Sequence, residues 1–225
     1  MKGAKLMSID LVIGLYQGMN GEGELRALNR IAAGVDGGVI VAIGSYRGQT
    51  DCALALHAHV QVYAIDDRNG SVGSEFPYSE EDRTIWMQNV LSLGLSEKIS
   101  PISLQSAQVA AVWDRPIGML FLDGSHDYES VSSDLRGFMP HVIEGGLVAF
   151  HAANTDGVQL AIENWSDHLE LIEVADTTAV YRVVKVSAPV PADIAQIIVG
   201  PGHTEGSLFG AAHGFNPNEE YAMAT

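Results

Sequence analysis

The sequence predicts an α/β fold: a doubly wound, seven-stranded, mostly parallel sheet that ends in a C-terminal antiparallel hairpin. Three observations carry this. Short apolar runs alternate with segments of helical periodicity from Glu22 to Trp165, the pattern of successive βαβ units. Two further runs, 170–174 and 179–186, are separated only by Ala175-Asp-Thr-Thr178, which suits a hairpin. The chain has 225 residues, 47% hydrophobic and 18% charged, enough for one sizeable core.

Each element follows in order. Residues 1–20 are a weakly patterned lead-in. Leu25, Leu28, Ile31 and Ala32 recur at helical spacing and predict a helix over 22–33. Its first turn carries acids, where the helix dipole favours them, and Gly34, Gly37 and Gly38 follow it. Residues 39–43 are a short continuous apolar run, the mark of a buried parallel strand. A glycine turn, 44–48, leads into a helix over 50–58 with Cys52 facing inward. Residues 60–65 form the second strand. The polar stretch 66–89, with Phe76, Tyr78 and Trp86, is long for a passive loop and reads as a functional cap, its end helical from 80 to 93. Residues 99–104 make the third strand, 107–112 a short helix and 117–122 the fourth strand. Val131, Leu135 and Phe138 share one face of a helix over 128–139, which Pro140 stops. Glu144-Gly-Gly turns into a fifth strand at 147–150, and a helix over 157–165 precedes the hairpin. From Ala188 the chain becomes rich in Pro and Gly. The expected division is a domain over 1–187 and an extension over 188–225, loosely structured or wrapped on the domain or a partner, and available for association with a second copy of the chain.

Composition excludes several functions. The net charge is −16, so no basic patch is at hand to displace counterions from a nucleic-acid backbone. Cys52 is the single cysteine, so an internal disulfide framework is excluded, and its Ala/Leu-rich surroundings read as core. The apolar run 9–15 is too short for a membrane span or a secretory core. The expectation is a cytoplasmic protein with no membrane or nucleic-acid partner.

The chemistry gathers at the carboxyl ends of the strands, where open α/β sheets bind ligands. The fourth strand ends on Asp123-Gly-Ser-His126-Asp-Tyr128, and the fifth ends on His151. Parallel strands bring Asp123, His126 and His151 toward one cleft. The first strand ends on Gly44-Ser45-Tyr46-Arg47-Gly48. Its glycines are too far apart for the G-x-G-x-x-G turn of nicotinamide and flavin sites, and it lacks the GK[ST] ending of a phosphate loop. A glycine there lets a ligand lie against backbone. Asp66 ends the second strand about 20 residues on, where an acid grips ribose hydroxyls in nucleoside-binding sheets. A carboxylate accepts both hydrogens of a vicinal diol, and Asp67 beside it can share or replace that role. Ser106 and Ala107 follow the third strand, level with an adenine edge.

Four segments together carry a resemblance: Ile43-Gly-Ser-Tyr-Arg-Gly-Gln-Thr50, Tyr63-Ala-Ile-Asp66, Leu122-Asp-Gly-Ser-His-Asp-Tyr-Glu-Ser-Val131 and Gly145-Gly-Leu-Val-Ala-Phe-His151. Over roughly residues 20–185 the chain resembles class I S-adenosylmethionine-dependent methyltransferases, and within them the small-molecule O-methyltransferase branch that includes natural-product tailoring enzymes. The resemblance implies a seven-stranded sheet whose last strand is antiparallel. It implies S-adenosyl-L-methionine as cofactor and a small hydroxylated molecule as methyl acceptor. Gly44, Ser45, Tyr46 and Gly48 would line the methionine and ribose side, Asp66 and Asp67 the sugar, and Ser106 and Ala107 the adenine. Asp123 would sit beside the transferred methyl group, with His126 as general base. Two departures stand out. The acid usual two positions before the first glycine is Ala42, and the Asp that follows the strand-five histidine in metal-using relatives is Ala152. A divalent metal is therefore doubtful, and none is assigned to this chain. The same departures motivate an alternative, a non-catalytic protein that keeps the nucleoside cleft without turnover.

Overall fold

The computed structural model describes residues 7–15, 19–67 and 78–184. The middle of the predicted cap, 68–77, and the whole extension over 188–225 lie outside the described residues.

The strands are β1 (Val39–Ile43), β2 (Val62–Ile65), β3 (Ile99–Ile102), β4 (Ile117–Leu122), β5 (Val142–Phe150), β6 (Leu169–Ala175) and β7 (Thr178–Val183). They form one seven-stranded sheet in the order β3-β2-β1-β4-β5-β7-β6. β1 to β5 pair in parallel, and β7 runs antiparallel to both β5 and β6. The strand order reverses between β1 and β4, so the crevice of a doubly wound sheet opens there.

The helices are α1 (Ile9–Ile13), α2 (Glu22–Ala32), α3 (Gln49–His57), α4 (Glu80–Ser92), α5 (Ser106–Ala110), α6 (Tyr128–Phe138) and α7 (Asp156–Glu163). Alternate strand residues feed two cores. Ile40, Ala42, Met119 and Phe121 pack with α2, α3 and α4 on one face. Val41, Ile43, Leu120 and Leu122 pack with α6 and α7 on the other. Every residue of β4 is buried, which explains why it reads as an unbroken apolar run rather than an alternating one.

Two expectations need correction. The lead-in holds a short helix, α1, whose N-terminus is capped by the Ser8 hydroxyl accepting from the Asp10 N–H at 3.2 Å. Five residues are too few to show a period. The fifth strand begins at Val142, not at 147. Glu144-Gly-Gly is an irregularity inside it: the pairing passes from Ile117↔Val142 to Met119↔Leu147 across a register shift, with Gly145 at φ 78°. Glycines that read as a turn mark a bulge instead.

Candidate active site

The strand ends interlock across the sheet. The N–H of Gly44 donates to the carbonyl of Ile65, that of Asp66 to Ile102, that of Asp123 to Ile43 and that of His151 to Leu122, all at 2.8–3.1 Å. Gly44, Asp66, Asp123 and His151 therefore stand in a row along one edge. Gly44 has φ 87°, and a Cβ there would collide with the backbone of Asp123 and Gly124. The glycine is thus required for β1 and β4 to close at the switch point, whatever ligand lies above it.

The glycine turn is mounted by the rest of the chain. One oxygen of Asp66, Oδ2, accepts from the N–H groups of Ser45 at 2.8 Å and Tyr46 at 3.1 Å. The Arg47 guanidinium donates through Nε to Asp82 of α4 at 2.6 Å, and the Asn89 amide donates to the Arg47 carbonyl at 2.9 Å. Burial would raise the Asp82 carboxyl, but its bonds from Ser79 and Arg47 prevail and lower it. The Trp86 indole lies against Gly48, whose φ of 78° leaves no room for a side chain, and donates to Asp51 at 2.7 Å. Trp86 is buried, so α4 serves this turn, where the sequence reading placed Trp86 in a cap. Asp67 is half-buried beside Asp66. Ser106 opens α5, and its hydroxyl engages Asp134. Burial lifts that carboxyl to about 6, an effect partly offset by the serine. Ala107 is exposed next to it.

On the other side of the switch point, Asp123, His126 and His151 do meet. His126 Nε2 is 3.5 Å from Asp123 Oδ1, and His151 Nε2 is 3.8 Å from the same oxygen. The two imidazoles face each other with centroids 5.3 Å apart. His126 is exposed and His151 half-buried. The loop holds its shape because Asp127 caps α6, accepting from the Ser130 N–H at 2.9 Å, and because the Tyr128 hydroxyl accepts from Asn164, the C-cap of α7, at 3.0 Å. After β5 the backbone turns sharply through Ala152 at φ 50°, a left-handed position that costs a non-glycine residue about 1–2 kcal/mol. Such strain concentrates at functional turns.

Sequence reasoning missed two residues of this cluster. Glu24 of α2 is 2% exposed, and its Oε1 lies 3.3 Å from His151 Nδ1. The same oxygen accepts from the Thr177 and Thr178 hydroxyls at 2.7 and 2.9 Å, and Oε2 accepts from the Gly21 N–H at 2.9 Å. Asp176, in the β6–β7 turn, returns the contact by accepting from the Glu24 N–H at 3.2 Å. Burial would raise the Glu24 carboxyl, but the bonds from His151, Thr177 and Gly21 outweigh it and bring it from 4.5 to about 2. Burial would likewise lower His151, yet Glu24 and Asp123 raise it above 6.5. Asn20 completes the group, its Nδ2 3.4 Å from Asp123 Oδ2 and 3.2 Å from His151 Nδ1. The acids in the first turn of α2 were legible as partners of the helix dipole, not as neighbours of a histidine on another strand.

Residues 41–153, half of the chain, match the sequence profile of a methyltransferase domain. The chain belongs to that methyltransferase family. The matched span runs from β1 through the turn after His151, so it contains the glycine turn, Asp66 and the Asp123 loop. The fold of this methyltransferase is also that of solved structures. It is similar to the O-methyltransferase NovP (TM-score 0.61, 17% identity, 75% of this chain and 82% of that one). It is similar to CalS11, a TDP-rhamnose 3'-O-methyltransferase of calicheamicin biosynthesis (0.55, 16%, 80% and 88%). It is similar as well to an O-methyltransferase from Bacillus cereus in complex with SAH (0.57, 15%, 79% and 90%). No curated protein matches the methyltransferase in sequence. Among its described residues no helix is long and apolar enough to cross a membrane. Cys52 is fully buried, and burial together with Asp51 pushes its thiol up, which makes it inert core.

The residues suit S-adenosylmethionine, the cofactor of this family. The glycine turn, the β2 acid pair and Ser106 follow β1, β2 and β3 at one edge of the sheet. Toward a magnesium ion, which takes oxygen ligands and is usually held by one or two carboxylates together with waters, the cluster offers one carboxylate and two imidazoles, with Ala152 where metal-using relatives carry a further carboxylate.

Proposed function

We propose that this methyltransferase carries the methyl group of S-adenosyl-L-methionine to a hydroxyl of a small molecule. The observation that carries the reading is the Asp123–His126 pair at the switch point, next to the glycine turn. Gly44, Ser45, Tyr46 and Gly48 line the methionine side, and Ser106 with Ala107 the adenine. Asp66 already holds the glycine turn, so the ribose diol falls to Asp66 and Asp67 together. Methyl transfer is an in-line displacement at carbon. The protein aligns acceptor and sulfonium and removes one proton. With Asp123 taking the Nε2–H of His126, the imidazole presents Nδ1 to the acceptor hydroxyl, in the manner of a carboxylate-oriented histidine base.

The O-methyltransferases with similar folds, one of them a sugar-modifying enzyme of natural-product biosynthesis, favour a hydroxylated acceptor and a tailoring role. The net charge of −16 argues for a small-molecule acceptor over nucleic acid, and a cytoplasmic setting accords with a reduced, buried Cys52. The test is methyl transfer from labelled cofactor to a panel of hydroxylated molecules. His126→Ala is expected to lower the rate about 10²–10⁴-fold while SAH binding, read by calorimetry, is unchanged. Label reaching only nitrogen or carbon acceptors would refute the hydroxyl assignment. Binding of SAH with no transfer to any acceptor would favour the non-catalytic reading that Ala42 and Ala152 suggest.

A further inference from the structure

We propose that two copies of this methyltransferase join along β6, strand against strand and antiparallel. The two edges of the sheet differ. β3 closes one edge with four residues and carries Pro101, which has no N–H to offer a further strand. β6 closes the other with seven residues, Leu169–Ala175, and holds no proline, lysine or arginine. Among the described residues it pairs with β7 alone. Eleven large apolar side chains are exposed among the described residues. Three of them, Leu171, Ile172 and Val174, stand on this strand. A fourth, Val184, adjoins its start, where its N–H donates to the His168 carbonyl at 2.9 Å. Such a cluster on a sheet edge marks an interaction surface.

The pattern is complementary to itself, which singles out a second copy as the occupant. Residues three apart on a strand normally face opposite ways. Here the pairing with β7 shifts between Leu171 and Glu173, so that Leu171 lies opposite Tyr181 and Val174 opposite Ala179. Tyr181 and Ala179 share a face of β7, so Leu171 and Val174 share a face of β6. A two-fold axis between Ile172 and Glu173 then sets Leu171 against Val174 of the partner subunit, and Val174 against Leu171 of the partner subunit, the self-matching of an isologous interface. The acids of the strand do not oppose this, because each is already paired within the chain. Glu170 has Arg182 at 3.4 Å and Glu173 has Arg30 at 2.6 Å. With −16 on each chain, long-range repulsion works against association, so apolar contact and strand pairing supply it. The turn that closes β6 carries Asp176 and Thr177, which hold Glu24 behind His151, so the second copy braces the hairpin at the reaction edge.

The interface stands apart from the methyl-transfer reading and is measured without turnover. The mass of the full chain in solution is read by sedimentation velocity over a range of protein and salt concentrations. A species of twice the chain mass is expected. Added salt should tighten it, because screening removes the repulsion between two acidic chains. Leu171→Lys and Val174→Glu should each weaken association about 100-fold, since each places two charges in the interface. The two substitutions together should restore it, with each lysine meeting a glutamate of the other copy. Circular dichroism should be unchanged in all three variants, since the two side chains are 54% and 59% exposed. A monomer at every concentration would overturn the proposal, and so would a dimer that neither single substitution weakens. A dimer lost in both single variants and not regained in the double variant would overturn the strand pairing. Protection of the β6 amides from hydrogen exchange in a monomer would mean that the chain covers its own edge, and would overturn the interface as well.

Discussion

The two sides of the switch point are built differently. On the β1–β2 side the charged groups and the indole find partners within the protein, while Ser45 Oγ and Gln49 Oε1 are buried without a hydrogen bond among the described residues. Asp66 clasps two loop N–H groups, Arg47 has Asp82 at 2.6 Å and Trp86 has Asp51 at 2.7 Å. On the β4–β5 side the contacts among Asp123, His126 and His151 run from 3.5 to 3.8 Å, at or beyond the limit of a hydrogen bond. The first side is braced by short bonds. The second is a looser cluster, with Glu24 behind His151 at 3.3 Å and Asn20 reaching both Asp123 and His151.

Four perturbations test that contrast, in decreasing order of expected effect on stability. Trp86→Ala removes a buried indole and the donor to Asp51, and should cost about 4 kcal/mol in chemical denaturation. Because the ring rests on Gly48, SAH affinity should fall as well; a loss below 1 kcal/mol would show that α4 does not brace the turn. Gly44→Ala places a side chain at a positive φ and against the Asp123 backbone, and should cost about 3 kcal/mol. A variant of native stability would mean that β1 and β4 do not close as described.

The third perturbation is pH, read as the melting temperature. The Glu24 carboxyl is lowered on folding, so its contribution is complete above 4.5 and lost as pH falls toward about 2. The His151 imidazole is raised on folding, so its contribution is complete below 6.5 and lost as pH climbs through its higher folded value. The pair should stabilise most between pH 4.5 and 6.5 and add about 2–3 kcal/mol there. Glu24→Gln should flatten the profile on both sides, and an unchanged profile would break the link between Glu24 and His151. The smallest effect belongs to His126→Ala. An exposed side chain in a capped loop should shift stability by under about 0.5 kcal/mol while methyl transfer falls. A large loss of stability would place His126 in the scaffold instead.

Much of this architecture is visible in the order of residues alone. The unbroken apolar runs of β1 and β4, the helical spacing of Leu25 and Leu28, and the Ala175-Asp-Thr-Thr178 link between two apolar runs are local signals, and burial imposes them on short windows. Residues 44, 66, 123 and 151 were legible as neighbours because each ends a parallel strand, and topology brings such ends to one edge. What tertiary structure alone decided is who faces whom. Glu24 and Thr177 are 153 positions apart, and Asn20 and His151 are 131 apart; no periodicity encodes a contact between a helix N-terminus and a hairpin turn. Trp86 likewise looked like part of a cap until packing set it on Gly48. Periodicity reports that a side chain is buried, but the partner that settles its charge, tautomer and role is chosen only when distant segments close on one another.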